Sequence, residues 1–387
     1  MTHQEHPNAF DQVVQLLADY GFDGMAQAMQ LLMNEAMKIE RNEVLKAAPY
    51  ERCSDRRGYA NGYKPKTVNT RIGSLELAVP QTRNVEFYPK SLERGVRSER
   101  ALKLAVAEMY VQGVSTRKVA EITQELCGLD ITSTQVSRAA ELLDEELHQW
   151  RNRPLGEIPY LILDARYEKV RHGGSVIDCA VLIAIGITPQ GKRSILGVSV
   201  SLSEAEVHWR EFLQSLQDRG LHGVRYIVSD DHAGLKEARK ARFAGVPWQR
   251  CQCHLQQNAG KYVPKVSMRK EVAETLRKIF DAADLHAAEQ LLAMAVKRYQ
   301  KSAPKLATWL EANIPEGLAV LTLPAAHRKR LRTTNMLERQ NREIKRRTRV
   351  ATLFPNEASL LRLVSAVLSE ISEEWETGKT YLNMETE

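Results

Sequence analysis

The 387 residues contain no run approaching the ~20 consecutive apolar residues that a membrane-spanning helix needs. The first residues, Met1 to Asp11, are polar and lack the basic-then-apolar order of a secretion signal. Cysteine is scarce: five residues, an odd number scattered over a long chain, do not make a disulfide framework. Together these absences predict a cytoplasmic protein. No internal repeat and no low-complexity tract is present, which excludes a solenoid or a composition-biased linker architecture. What remains is a chain with 43% apolar residues, enough for packed cores, and a length that suggests two or three domains.

Positive charge is concentrated. Between Arg328 and Arg349 there are ten Lys/Arg and two Glu, a net +8 in a chain whose total is +7, so the remainder sums to −1. Such concentration is the footprint of a polyanion site, although a charge run taken alone is as well explained by a solvated helix.

Periodicity organises the rest. Residues 12–47 read as helix, with Met25, Met29, Met33 and Met37 four apart on one face, as a core or subunit contact would be. From Arg52 to Arg83, Gly58, Gly62, Gly73, Pro65 and Pro80 punctuate short strand-like pieces. Residues 101–148 turn helical again. Ser115 begins one helix and Thr132 or Ser133 the next, with Gly128 between them, the pattern of a helix-turn-helix or of an ordinary helical hairpin. In the first case Gln135 and Arg138 face a major groove. After Pro154 come strands: Tyr160 to Leu163, Ile177 to Thr188 and Ser194 to Leu202. A helix over Glu204–Arg219, a strand over Val224–Ser229, a short helix over Leu235–Arg242 and a strand-like piece over Pro247–Cys253 follow. A meander, a helix and then a strand beside the first is the order of an RNase H-like sheet. From His254 to Ala326 the pattern is helical.

The expected fold is therefore α/β: an RNase H-like mixed sheet interrupted by a helical insertion and preceded by mainly helical N-terminal DNA-binding domains. Its expected parts are a helical and mixed region (1–100), a helix-turn-helix-like region (101–153), the first part of the core (154–253), the insertion (254–330), and the last core helices with a tail (331–387).

Asp164 and Asp230 each follow an apolar strand directly. A carboxylate there is costly unless solvated, paired or bound to a metal, and strand ends are where open α/β sheets place active sites. Either these acids start turns, as Asp231 could for the helix after it, or they form a hard-cation site suited to Mg²⁺, with Mn²⁺ as substitute. A third acid favours the site. Glu338, Arg342, Lys345 and Arg349 step by 4, 3 and 4 along a helix capped by Thr334, which puts one carboxylate on a basic face, and Arg332, Arg339 and Arg346 of the same basic segment are further candidates to contact DNA. Metal and DNA phosphate meeting there explains the mixture.

In combination, several motifs resemble the Mutator-type family of insertion-sequence transposases. They include Gly58-Tyr-Ala-Asn-Gly-Tyr63, Thr70-Arg-Ile-Gly73, Met109-Tyr-Val-Gln-Gly-Val-Ser-Thr-Arg117 and Ser229-Asp-Asp-His-Ala-Gly234. Trp248-Gln-Arg-Cys251 with His254, and Thr334-Asn335 with Glu338-Arg339 and Asn341-Arg-Glu-Ile, complete the set. The resemblance runs from about Arg57 to Arg349. It implies an acidic triad of Asp164, Asp230 and Glu338, and a fold in which a helical insertion precedes the last acid. It departs at Asp231, where the family usually has Gly, and at Gln257, a position often basic. In the family a Cys and a His recur at Cys251 and His254 and support the site, with Trp248 alongside. A structural zinc reading of Cys251, Cys253 and His254 lacks a fourth ligand; read on a strand, the last two project from opposite faces.

The implied function is a transposase that binds terminal inverted repeats and target DNA and performs metal-dependent cleavage and strand transfer. The expected form is a homo-oligomer, at least a dimer on DNA, associated with the bacterial nucleoid when bound. The alternative is a DNA-binding regulator or an inactive domesticated transposase, which has no reason to keep three acids.

Overall fold

The computed structural model describes residues 9–49, 51, 53–92, 98–348 and 353–385, except the side chains of 335–340. It divides into two compact units, Met1–Leu142 and Leu143–Glu387.

In the first unit, α1 (Ala9–Tyr20) and α2 (Met25–Leu45) form a hairpin instead of the continuous helix expected over 12–47. The break falls at Gly21, whose φ of +55° is the left-handed conformation that glycine adopts without cost. Met37 is fully buried while Met25 and Met29 are exposed, so the methionine stripe does not serve one surface. The glycine- and proline-punctuated stretch is one long antiparallel hairpin, β1 (Tyr59–Thr70) and β2 (Gly73–Arg83). Alternate β2 residues Leu75, Leu77 and Val79 pack with Val68 and Met37. Helices α3 (Arg100–Val111), α4 (Thr116–Cys127) and α5 (Ser133–Ala140) close around Val106, Val119, Ile131 and Val136. Ser115 caps α4 by accepting the Lys118 N–H, Gly128 at φ +64° ends it, and Thr132 caps α5.

The second unit begins with α6 (Asp144–Arg151), grouped above with the helix-turn-helix region. Its Asp144 accepts from Arg362 at 2.6 and 2.7 Å, and its Arg151 donates to Ser365 at 2.9 Å, which fix it to the C-terminal part of the chain. Then come β3 (Tyr160–His172), β4 (Ser175–Ile187), β5 (Arg193–Ser201), α7 (Glu206–Asp218), β6 (Tyr226–Ser229), α8 (Ala233–Arg242) and β7 (Trp248–Arg250). The five strands form a mixed sheet in the order β5-β4-β3-β6-β7, with β3, β4 and β5 antiparallel and β6 and β7 parallel to β3. The chain continues through α9 (Gln252–Ala259), α10 (Arg269–Phe280), α11 (Leu285–Ser302), α12 (Pro304–Asn313), α13 (Ala325–Leu331), α14 (Asn335–Thr348) and α15 (Glu357–Thr377). Among the described residues, 252–331 contain no strand, and the two ends of that segment meet where the Gln252 N–H donates to the Arg332 carbonyl at 3.0 Å.

Strand periodicity explains the layers. Leu161, Leu163, Leu182, Ala184 and Ile227 point to one face and meet Trp209, Phe212, Leu213 and Leu216 of α7 with Leu235 of α8. Their neighbours Ile162, Val181, Ile183, Ile185 and Val228 point to the other and meet side chains of α9 to α12 and of α15. Burying each such side chain contributes roughly 1.5–3 kcal/mol, which makes the central strands the rigid part of this unit. No helix among the described residues is long and apolar enough to cross a membrane.

Candidate active site

Asp164 is not at the end of its strand. β3 pairs with β4 as far as His172↔Ser175, but its pairing with β6 stops at Ile162↔Val228. The sheet therefore forks there. Two steps along the same parallel register set Asp164 opposite Asp230, the first residue after β6.

Beyond the fork, β3 offers charged residues to α14. Asp164, Arg166 and Glu168 alternate onto one face of the strand. Asp164 Oδ2 accepts from Asn341 Nδ2 at 3.0 Å. Arg166 donates to the Asn341 carbonyl and to the Glu168 carboxylate, and Glu168 also accepts from the Thr348 hydroxyl at 3.2 Å. On the same open edge, the Phe354 N–H donates to the Lys169 carbonyl and the Arg171 N–H to that of Phe354. A polar clamp thus holds α14 against the strand that carries Asp164. Asn341 is otherwise only part of the family motif, and Arg166 and Glu168 have no sequence signal that marks them.

Burial pushes the Asp164 carboxyl up to about 7; His254 and the hydrogen bonds from Ala165 and Asn341 act against that rise, and Asp230 adds to it. Desolvation therefore outweighs the favourable charge of His254 and the two hydrogen bonds. His254 stands on α9 with Nδ1 3.6 Å from Asp230 Oδ1; that nitrogen is buried and has no hydrogen-bond partner among the described residues. Hydrogen bonding to Cys251 raises the imidazole above its ordinary range, helped by Asp230 and Asp164. The Cys251 thiol is correspondingly lowered, first by Cys253 and then by His254 and Thr334, whose N–H and hydroxyl both donate to Sγ at 3.4 Å. The expected strand over Pro247–Cys253 ends at Arg250, and Cys251 is the N-cap of α9. Cys253 and His254 are therefore helical, and Cys251 and His254 approach because they are three apart there. Trp248 Nε1 donates to Ser229 Oγ at 2.9 Å, and its ring lies 5.0 Å from Lys236 Nζ and 4.8 Å from the Arg239 guanidinium.

Asp231 is engaged elsewhere. It contacts Arg250 at 3.0 Å and Lys236 at 3.4 Å, and the buried Arg250 also meets Glu316 at 3.0 Å and Asn313 at 2.9 Å. This network is structural. Glu338 precedes Asn341 by three residues on α14, so the two lie one turn apart on the same helix face. The side chains of Glu338 and Arg339, and all of Arg349, lie outside the described residues. Among those described, no group of three or more His, Cys, Asp or Glu side chains is arranged to hold a metal ion.

Of the expected DNA contacts, Arg342 and Lys345 are exposed. Arg346 is exposed but paired with Glu343 at 2.7 Å, and Arg332 meets Asp281 at 2.6 Å. Arg347 is buried between Glu343 at 3.0 Å and Glu370 at 2.8 Å. Hydrogen bonds from Arg346, then Arg347, hold the Glu343 carboxyl down to about 2. In the first unit Gln135 and Arg138 are both exposed, but Gln135 Oε1 already accepts the Thr132 N–H at 2.7 Å and lies 3.0 Å from the Thr132 hydroxyl. It completes a capping box on α5.

The family described as Transposase, Mutator family, matches residues 1–378, and the chain belongs to that family. It is similar to the transposase for insertion sequence element IS406 of Burkholderia multivorans, 57% identical over 385 residues and covering 99% of each chain. The transposase for insertion sequence element ISRM5 of Rhizobium meliloti is 44% identical, covering 94% of this chain and 91% of that relative. That for IS256 in transposon Tn4001 of Staphylococcus aureus is 36% identical, covering 99% of both.

Proposed function

We propose that this transposase binds the terminal inverted repeats of an insertion sequence and cuts and joins DNA at the carboxylates of Asp164, Asp230 and Glu338. The observation that supports this is the fork of the sheet at Ile162↔Val228, beyond which two aspartates face each other with α14 tied to the first. We read the second unit as RNase H-like: an antiparallel meander extended by two parallel strands, with α9 to α13 as a helical insertion before the third acid.

The donor set fits a hard divalent cation. Two carboxylates share the end of a buried strand pair, one of them pushed up to about 7 by desolvation, and oxygen donors of this kind suit Mg²⁺, with Mn²⁺ as a substitute. Asp164, Asp230 and Glu338 would hold it; when bound, it supplies Lewis-acid polarisation and a more acidic water or 3′-hydroxyl. Asn341 fixes the rotamer of Asp164, and His254 offsets charge at Asp230. Arg342 and Lys345, exposed next to this face, hold DNA phosphates, while Arg332, Arg339, Arg346 and Arg349 extend the basic surface. Gln135 and Arg138 contribute to reading the repeat. In the reaction, water oxygen attacks phosphorus and a 3′-oxygen leaves. The freed 3′-hydroxyl then attacks a second phosphodiester in line, forming one P–O bond as another breaks. No side chain need become covalently linked to DNA. Two ends require two such sites, hence a homo-oligomer on DNA.

The test is cleavage and joining of element ends with Mg²⁺. Asp164→Asn, Asp230→Asn and Glu338→Gln should each abolish both steps while end binding persists, and Asp231→Asn should retain them. Near-normal activity in any of the first three would remove that residue from the site.

A further inference from the structure

The α1–α2 hairpin leaves apolar side chains uncovered in a regular order. On α2, Met25, Met29, Leu32, Ala36 and Ile39 step by 4, 3, 4 and 3, and all but the half-buried Ala36 are exposed. On α1, Phe10, Val14 and Leu17 step by 4 and 3 and are exposed too. A mean spacing of 3.5 keeps a seam facing one partner helix along its length, as interdigitating helices require. The faces that pack inside the unit are different: Val13 of α1, and Ala28, Met37, Arg41 and Leu45 of α2.

We propose that this hairpin is the self-association surface of the protein, occupied by the same hairpin of a second copy in a four-helix arrangement. Charge argues against DNA here. Residues 9–45 hold six acidic and two basic side chains, a net −4 in a chain of net +7, and an acidic surface repels a polyanion. The stretches Phe10–Leu17 and Met25–Ile39 of the two seams place no charged residue at a seam position; the next α2 position at the same spacing is the exposed Glu43, which bounds the contact. The area suffices. Phe22, Phe10 and Tyr20 are 90%, 64% and 61% exposed, which at ~200 Å² per ring offers roughly 400 Å², about half of the ~800 Å² each partner gives to a standard interface. The aliphatic seam residues supply the rest. Uncovered surface of this size is unusual for a chain that stays monomeric.

The experiment measures the mass of the full chain without DNA or divalent metal, so its outcome is independent of the acidic site. The expected mass is twice 43.8 kDa, and Leu17→Glu with Leu32→Glu should weaken association at least about 100-fold, as loss of central contacts does. Leu32 is the midpoint of the 25–39 seam, so parallel and antiparallel two-fold pairing both set it against its own copy. Under mild oxidation Leu32→Cys should give a covalent dimer that the native five cysteines do not. A monomeric wild-type chain, as when the seam docks onto the second unit of its own molecule, overturns the proposal. So does a dimer that tolerates both glutamates and is not captured by Leu32→Cys.

Discussion

Replacing Asn341 by Ala removes one hydrogen-bond donor and little else. Its Nδ2 is 3.0 Å from Asp164 Oδ2, whereas the bond that docks α14 uses the Asn341 carbonyl and survives the substitution. Alanine also favours helix, so folding stability should hold. A hydrogen bond to a charged group in a desolvated setting is worth ~1.5–3 kcal/mol. If the bond acts by holding Asp164 in its productive rotamer, that energy appears in the rate, and 1.4 kcal/mol per factor of ten gives a fall of about 10- to 100-fold. The assay is single-turnover first-strand cleavage at saturating DNA over a Mg²⁺ titration, beside DNA affinity measured without metal. Cleavage should fall by that factor and recover partly at high Mg²⁺, with affinity unchanged. Asn341→Asp, which sets a like charge beside Asp164, should be worse than Ala. A rate within threefold of wild type for Asn341→Ala would mean that the bond is incidental.

Three further outcomes are expected. Gln135→Ala removes the capping-box bond from the Thr132 N–H, worth ~0.5–1.5 kcal/mol, together with a base contact, so it should lower both the stability of α5 and the preference for terminal over scrambled DNA. Arg138→Ala should leave stability intact and reduce the preference for terminal over scrambled sequence; an unchanged preference places recognition elsewhere. Glu343, held down to about 2 by Arg346 and Arg347, has a folded value below its unfolded one of ~4.3, so it stabilises above the latter and loses that contribution as pH falls towards 2. The denaturation gap between wild type and Glu343→Gln should therefore be present at pH 7 and close as pH falls to 2; a gap independent of pH would refute the ion-pair assignment.

The central strands were legible because their burial is two-sided. Ala180 to Ile187 is a continuous apolar run, and Asp164 and Asp230 stand out as acids at the edge of such runs. The continuation of β3 was not legible. Residues 165–172 mix Arg, Tyr, Glu, Lys and His because their partners are α14 and a β4 arm, and ionic packing leaves no hydrophobic period to detect. Arg166 and Glu168 went unseen for that reason. The Thr132-x-x-Gln135 spacing also carries a signal for a capping box, which the polarity and exposure of Gln135 alone do not reveal. The hairpin break at Gly21 fell inside a pattern apolar enough to support one long helix.

The contact between Gln252 and Arg332 bears on how such a chain can diverge in length. A segment that leaves and re-enters the fold at one point makes the distance between Asp230 and α14 independent of how many residues lie between them. Doubling a flexible stretch within a loop closed in this way costs only about 0.6 kcal/mol of closure entropy. Growth in the connections between α9 and α13 is thus nearly neutral for the geometry of the acids, provided that the apolar faces packed on the sheet are kept. The same number of residues added between β3 and β4 would lengthen the arm that grips α14.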